Sequence, residues 1–227
     1  MIADGPTIVT GATGFAGSHL IDRLIESGSG AIHAWGGPDG RPPTRDHPNV
    51  TWQVVDLLQR DEVAKAIEAL KPACIYHLAG IPHVGESWQK SLGPLRVHVL
   101  STHYLIDAVH RFAPRCRVLV VSSGLIYRNT AAPMTEESPL GPSSPYALSK
   151  LAQDQLALDR AHQDGLDILV ARPFNHTGPR QEPLFAIPSF ARQIAQIERG
   201  DAPPELRVGN LETSRDLTDV RDVAAAY

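Results

Sequence analysis

Thr7-Ile8-Val9-Thr10-Gly11-Ala12-Thr13-Gly14-Phe15-Ala16-Gly17 is an apolar run that ends in a glycine-rich turn. Residues 18–27 follow with Leu20, Leu24 and Ile25 at helical spacing. A strand entering a helix through such a turn leaves backbone N–H groups free at the positive end of the helix, where a diphosphate binds. Gly11 suits the tight turn, Gly14 the close approach of phosphates, and Gly17 the packing of helix on strand. The spacing is GxxGxxG rather than GxGxxG, and alone it is equally compatible with an ordinary loop. Directly after an apolar strand it reads as a dinucleotide site.

Working outward, strand-like and helix-like stretches alternate. Strands are expected at 31–35, 51–55, 74–78, 117–122 and 167–171, and helices at 60–71, 95–112 and 145–163. Alternating β and α units with strands apolar on both faces predict a parallel sheet covered on both sides. After Arg172 the rhythm breaks. Residues 173–188 look loop-like, 189–199 helical, and 206–209 a short strand, as in a small second lobe. The expected division is a dinucleotide-binding domain at 1–172 and, at 173–227, part of a substrate lobe that returns to the sheet. Tyr227 falls inside an apparent helix beginning near Val220, as in an incomplete lobe of a longer chain.

Far downstream, Tyr146 and Lys150 lie four apart, on one face if helical. Ser144-Pro145 ahead of them fits an N-cap followed by proline in the first turn. A lysine ammonium beside a tyrosine favours the phenolate, which suits the phenol to proton transfer near neutral pH. A tyrosine–lysine pair at this spacing is also a common solvated surface pair. The apolar run 118–121 ends in Ser122-Ser123, which puts a hydroxyl at the carboxyl edge of the sheet, where α/β sites lie. Leu78-Ala79-Gly80 ends the fourth strand in small residues that admit a ring. Together these motifs outline a nicotinamide-dependent oxidoreductase.

The bulk properties restrict the classes further. The chain has 227 residues, a net charge of −4 and 42% hydrophobic content, enough for one α/β core with a small appendage. Basic residues are scattered, which gives no support for nucleic-acid binding. No apolar run reaches membrane-spanning length, and the first strand begins too early for a signal peptide, so a cytoplasmic location is expected. Cys74 and Cys116 read as buried structural thiols. The ten histidines include no HxxxH or HExxH pair, and no metal is expected. His83 and His176 fall in loops near the expected substrate site, where each can touch a sugar hydroxyl or simply face solvent.

TGATGFAGSHL at 10–20, HLAG at 77–80, VGESW at 84–88, SSGLIY at 122–127, PYALSK at 145–150, RPFNHTGPRQ at 172–181 and RDLTDVRDVAAAY at 215–227 carry a resemblance. The chain resembles the extended short-chain dehydrogenase/reductases, in their nucleotide-sugar epimerase/dehydratase branch, over essentially its whole length. RPFNHTGPRQ followed by VGNLETSRDLTDVRDV looks most like the GDP-4-keto-6-deoxy-mannose reductases, relatives of GDP-mannose 4,6-dehydratase. The resemblance implies a Rossmann-type sheet with Ser123, Tyr146 and Lys150 as catalytic triad. It implies that Gly11, Thr13, Gly14, Phe15, Ala16 and Gly17 hold the cofactor, with Arg41, Asp56, Leu57, Leu78, Ala79, Gly80, Val121 and Pro173 around it. Val84, Gly85, Glu86, Ser87, Asn175 and Arg215, with Ser123, would meet the nucleotide-sugar substrate, which the likeness implies is GDP-linked.

Ser123 would hydrogen-bond the sugar C4 oxygen, Tyr146 would donate its proton, and Lys150 would hold the nicotinamide ribose and tune Tyr146. The branch's dehydratases place an acid two residues before the tyrosine of the SSxxxY segment. Here that position is Leu125, which disfavours dehydration and leaves NAD(P)H-dependent reduction or C4 epimerisation, with a non-catalytic dinucleotide-binding protein as a third reading. The second strand ends Ala34-Trp35-Gly36-Gly37 without the acid that reads the ribose diol of NAD. Asp39, Arg41 and Arg45 follow, and the arginines lean the cofactor towards NADP, although they serve equally as solvated loop residues. His98 stands where the family often has Asn, and Arg128 where it usually has Gly. An apolar helical face at 95–108 fits the family's four-helix homodimer interface, and core packing would explain it equally.

Overall fold

Ile8 and Val9 are adjacent, fully buried, and point to opposite faces of one sheet. That alternation organises the molecule, for which a computed structural model describes residues 5–38, 40, 47–81, 88 and 92–227. β1 (Thr7–Thr10), β2 (Ile32–Gly36), β3 (Val50–Val54), β4 (Cys74–His77), β5 (Arg117–Val121) and β6 (Ile168–Ala171) form one sheet in the order β3-β2-β1-β4-β5-β6. Every pairing is parallel. The order reverses between β1 and β4, the switch point outside which ligands of open α/β sheets bind.

On one face, Ile8, Ile75, Val118 and Val120 pack with Val63 and Ile67 of α2 (Arg60–Leu70). Leu105, Ile106 and Val109 of α3 and Ala157 of α4 (Pro145–Asp164) complete that layer. α3 is one continuous helix in three stretches: Leu92–Leu95, a π-helical Arg96–Leu100, and Ser101–Phe112. On the other face, Val9, Ile32 and Ala34 pack with Leu20, Ile21 and Leu24 of α1 (Phe15–Glu26) and with Ala224 of α6 (Val220–Ala226). The expected doubly wound parallel sheet is therefore present, and its elements agree with the sequence reading to within a few residues as far as Arg172.

Beyond Arg172 the expectations need correction. Residues 206–209 form no strand. Instead β7 (Asn175–Thr177) and β8 (Leu217–Asp219) pair in parallel as a second, two-stranded sheet. The helix expected at 189–199 begins earlier, as α5 (Ala186–Glu198). α5 buries none of its residues, and Leu184, Ile194, Leu206, Val208 and Leu211 stand exposed around it. Periodicity reads burial, and these apolar positions are not buried, so the pattern could not locate the elements. Cys74 is also only half-buried, whereas Cys116 is buried, and both thiols are free.

Candidate active site

The glycine turn is built by close approach. Gly11 has φ 66°, in the left-handed region, and a Cβ there would lie 2.8 Å from the backbone nitrogen of Ala79. A Cβ on Gly17 would meet the carbonyl oxygen of Gly11 at 2.2 Å, so α1 rests directly on the turn. Gly14, the extended N-cap of α1, offers no capping side chain, and the first turn carries no acid. The leading N–H groups of α1 thus have no side-chain competitor, which fits them to a dinucleotide diphosphate. Phe15 stacks on His176 of β7, with ring centroids 5.8 Å apart, and meets His19 edge-on at 5.6 Å.

Around the turn, Leu78 and Ala79 are half-buried and Gly80 is exposed. The Ala79 N–H donates to Thr10 Oγ1 at 3.1 Å, which ties the end of β4 to β1. Asp56 turns its carboxylate onto its own loop, accepting from the Leu58 N–H at 3.0 Å and from Gln59 Nε2 at 3.2 Å, with Leu57 half-buried beside it. Trp35 is buried and donates its indole N–H to Gln53 Oε1 at 3.0 Å. A small cavity beside these residues is lined by Thr13, Gly36, Gly40, Trp52, Gln53 and Val54. Arg41, Val84, Gly85, Glu86 and Ser87, like Asp39, His83 and Arg45, lie outside the described residues.

β5 delivers Ser123 to the carboxyl edge, where it is buried and its Oγ accepts the Leu125 N–H at 3.2 Å. The short 3-10 turn Gly124–Ile126 that follows is anchored by the Gly124 N–H on the Pro173 carbonyl at 2.8 Å. α4 begins as the sequence predicts, with Ser144 Oγ capping the Ala147 N–H at 3.1 Å and Pro145 in the first turn. Tyr146 and Lys150 therefore project from one helical face. The Tyr146 phenol hydrogen-bonds Ser123. Lys150 is buried, and its Nζ donates to the Val121 carbonyl and to Gln153 Oε1, both at 2.9 Å.

The electrostatics differ from expectation in one respect. Burial raises the Tyr146 phenol above its usual value, and the bond to Ser123 only partly offsets this. Burial lowers the Lys150 ammonium to about 7. Desolvation, which sequence spacing does not report, sets the direction of both shifts.

His98 sits in the π turn of α3, buried beside the tyrosine, its ring edge-on to Tyr146 with centroids 5.5 Å apart. Its Nε2 accepts the Ile81 N–H at 3.0 Å, so Nδ1 carries the proton and donates to Ser149 Oγ at 2.8 Å. Ser149 in turn donates to the Tyr146 carbonyl at 2.7 Å. The carbonyls released by the π turn are taken up by hydroxyls, Ser101 on Val97 and Thr102 on His98.

Two groups around the site have no signal in the sequence. Arg172 grips the fully buried Asp154 with Nε and Nη2 at 2.8 and 2.9 Å and donates to the Tyr127 hydroxyl at 2.8 Å. Buried His77 bridges Thr10 and Thr102 through its two ring nitrogens, at 2.8 and 2.9 Å. Only three-dimensional pairing reveals either one. Of the expected substrate contacts, Asn175 lies exposed on β7, and Arg215 is exposed just ahead of β8, donating to the Ser214 carbonyl at 2.7 Å. The register pairs Asn175 with Leu217, so both residues share one end of the small sheet.

A switch-point glycine turn, with a serine, a tyrosine and a lysine gathered at the neighbouring strand edges, defines the class of dinucleotide-binding α/β enzymes. Residues 7–227 match the family described as the NAD dependent epimerase/dehydratase family. The chain is similar to GDP-6-deoxy-D-mannose reductase of Pseudomonas aeruginosa, with 37% identity over 222 residues, covering 96% of this chain and 68% of that protein. It is 30% identical to GDP-mannose 4,6-dehydratase sdnI of Sordaria araneosa, covering 94% of this chain and 40% of that one. Among solved structures, Thermus thermophilus UDP-glucose 4-epimerase in complex with NAD matches with a TM-score of 0.83 and 25% identity, over 97% of this chain and 72% of that one. The chain belongs to the NAD dependent epimerase/dehydratase family, enzymes of the extended short-chain dehydrogenase/reductase type. Among the described residues, no helix is long and apolar enough to cross a membrane.

Proposed function

We propose that this chain reduces the C4 carbonyl of a nucleotide-linked 4-keto-6-deoxyhexose, GDP-linked, with NAD(P)H. The observation that carries this reading is Leu125. The residue two before Tyr127 is an apolar side chain, 44% exposed, beside Ser123. No carboxylate stands there to remove a carbon-bound proton, whereas reduction needs only a proton donor at the C4 oxygen. The likeness to the Pseudomonas reductase points the same way.

The bound dinucleotide would supply the hydride to C4. Ser123 orients the carbonyl oxygen by donating a hydrogen bond, and Tyr146 delivers its phenolic proton to the same oxygen as the alkoxide forms. Its bond to Ser123 already aims the phenol at that point. Lys150 has three N–H donors, two of them engaged by Val121 and Gln153, which leaves the third for the ribose of the nicotinamide nucleoside. Asn175 and Arg215 would hold the sugar and its diphosphate.

NADP is the favoured cofactor, since β2 ends Ala34-Trp35-Gly36-Gly37 without the ribose-reading acid that would repel a 2′-phosphate, and Arg41 and Arg45 follow in sequence. A homodimer joined through α3 and α4 fits the family pattern, and light scattering on the purified protein tests it.

C4 epimerisation is the second reading, favoured by the likeness to UDP-glucose 4-epimerase in complex with NAD. Oxidation of NADPH and NADH is followed by absorbance with GDP-4-keto-6-deoxy-mannose generated in situ. Turnover supports the reductase and ranks the cofactors. No turnover, with an oxidised dinucleotide copurifying, supports the epimerase. Binding without either result leaves a non-catalytic dinucleotide protein.

A further inference from the structure

Lys150 is held from behind by a chain of buried hydrogen bonds that ends back at the glycine turn. Lys150 Nζ donates to Gln153 Oε1 at 2.9 Å, and Gln153 Nε2 donates to Thr102 Oγ1 at 2.8 Å. Thr102 spends its proton on the His98 carbonyl at 2.7 Å. His77 Nε2, 2.9 Å away, must therefore donate to Thr102, and His77 Nδ1 must accept from the Thr10 hydroxyl at 2.8 Å. Thr10 Oγ1 accepts the Ala79 N–H at 3.1 Å. Donor counting thus assigns one direction to every bond of the chain. Thr10, His77, Thr102 and Gln153 are all fully buried, so water cannot substitute for a missing partner.

We propose that Gln153, oriented by Thr102 and His77, is the positioning residue for the Lys150 ammonium, fixing its place at the strand edge and favouring its charged form. The inference rests on the reading of Lys150 as the lysine that serves the nicotinamide nucleoside. An amide has fixed polarity at its two ends. It passes no proton along the chain, so Gln153 orients rather than relays. Thr102 accepts from Gln153 and so keeps the amide nitrogen away from Lys150. A flipped amide would set two donors against each other. His77 stays neutral at ordinary pH, since burial and the nearby Lys150 lower it to about 3, and the direction of the chain is therefore stable. Its neutrality also spares Lys150 a second buried cation.

The sequence makes a direct test possible, because it has only four lysines: Lys65, Lys71, Lys90 and Lys150. Protein carrying carbon-13-labelled lysine gives four Cε signals, and Lys150→Arg identifies the one of interest. Its titration midpoint is measured without substrate or dinucleotide. Gln153→Leu removes the acceptor and lowers the midpoint by about one pH unit, and Gln153→Glu adds a carboxylate and raises it by about as much. Thr102→Val, nearly the same shape, frees the amide and lowers the midpoint, while Thr102→Ser restores it. If Gln153→Leu does not fold, Thr102→Val carries the test.

Folded Gln153→Leu or Thr102→Val with the wild-type midpoint overturns the proposal, because packing alone would then explain both residues. Shifted midpoints in a protein that turns over no nucleotide sugar uphold the positioning role while sinking the reductase reading. Normal turnover with unmoved midpoints does the reverse.

Discussion

A Cβ added to Gly36 would lie 2.9 Å from Cγ2 of Thr13. The end of β2 is thereby closed by the glycine turn itself, since Gly40 presses on the same threonine, where a Cβ would meet Oγ1 at 2.6 Å. A carboxylate for the ribose diol cannot be carried at residue 36 without moving Thr13. Gly36→Asp alone is expected to weaken binding of both NADH and NADPH, whereas Gly36→Asp with Thr13→Gly shifts the NADH/NADPH affinity ratio at least tenfold towards NADH, about 1.4 kcal/mol. Fluorescence titration of both variants checks this. An unchanged ratio in the double variant would place cofactor choice elsewhere.

Tyr146→Phe keeps the ring beside His98 and removes the only proposed proton donor. Turnover of the 4-keto sugar is expected to fall by about 10²–10⁴-fold, with dinucleotide affinity changed by less than about threefold. Steady-state kinetics paired with binding titration separates the two quantities. Substantial residual turnover would mean that the proton comes from another group.

These two cases mark what the sequence discloses. The glycine turn, the strand ending in Ser122-Ser123 and the Ser144-Pro145 cap announce themselves because local chemistry dictates them: positive φ, a buried run, an uncapped N–H. Thr10, His77, Thr102 and Gln153 do not, because a buried histidine or glutamine has no local signature and acquires a partner only when distant strands pair. The phenol of Tyr146 shifts opposite to expectation for the same reason, since burial is a property of the folded chain. After Arg172, apolar residues that remain exposed misled the periodicity, and a strand expected at 206–209 is absent while β7 and β8 were unforeseen.

Arg172 and Asp154 join β6 to α4 through a two-pronged ion pair whose carboxylate is fully buried. Arg172→Ala strands that carboxylate and removes the donor to Tyr127. It is expected to cost about 3–5 kcal/mol of unfolding free energy. Urea denaturation at neutral pH gives the value, and a cost below about 1 kcal/mol would show that water reaches Asp154 after all.

His77 and His98 are held neutral, lowered by burial first and by Lys150 second, to about 3 and about 2. In the unfolded chain both titrate near 6.5. As pH falls below 6.5 the unfolded state takes up protons that the folded state refuses, so stability declines with acidification from that point and is unaffected by these groups above it. Unfolding midpoints in urea are compared at pH 6.0 and 5.0, both below the Lys150 transition near 7, and are expected to be lower at the second. His77→Gln, although less stable throughout, should show a shallower decline. An equally steep decline in that variant would assign the acid sensitivity to carboxylates.

β4 lies between β1 and β5 in the sheet, and both of its edges are paired. The glycine turn is attached to one neighbour and the serine to the other, so the two halves of the site have no mutual geometry until this four-residue strand slots in. Capture of a dinucleotide by such a protein during refolding would therefore time the closing of the middle of the sheet, a late and long-range event, while helix signals would rise earlier. The ligand would act as a clock for the assembly of its own receptor.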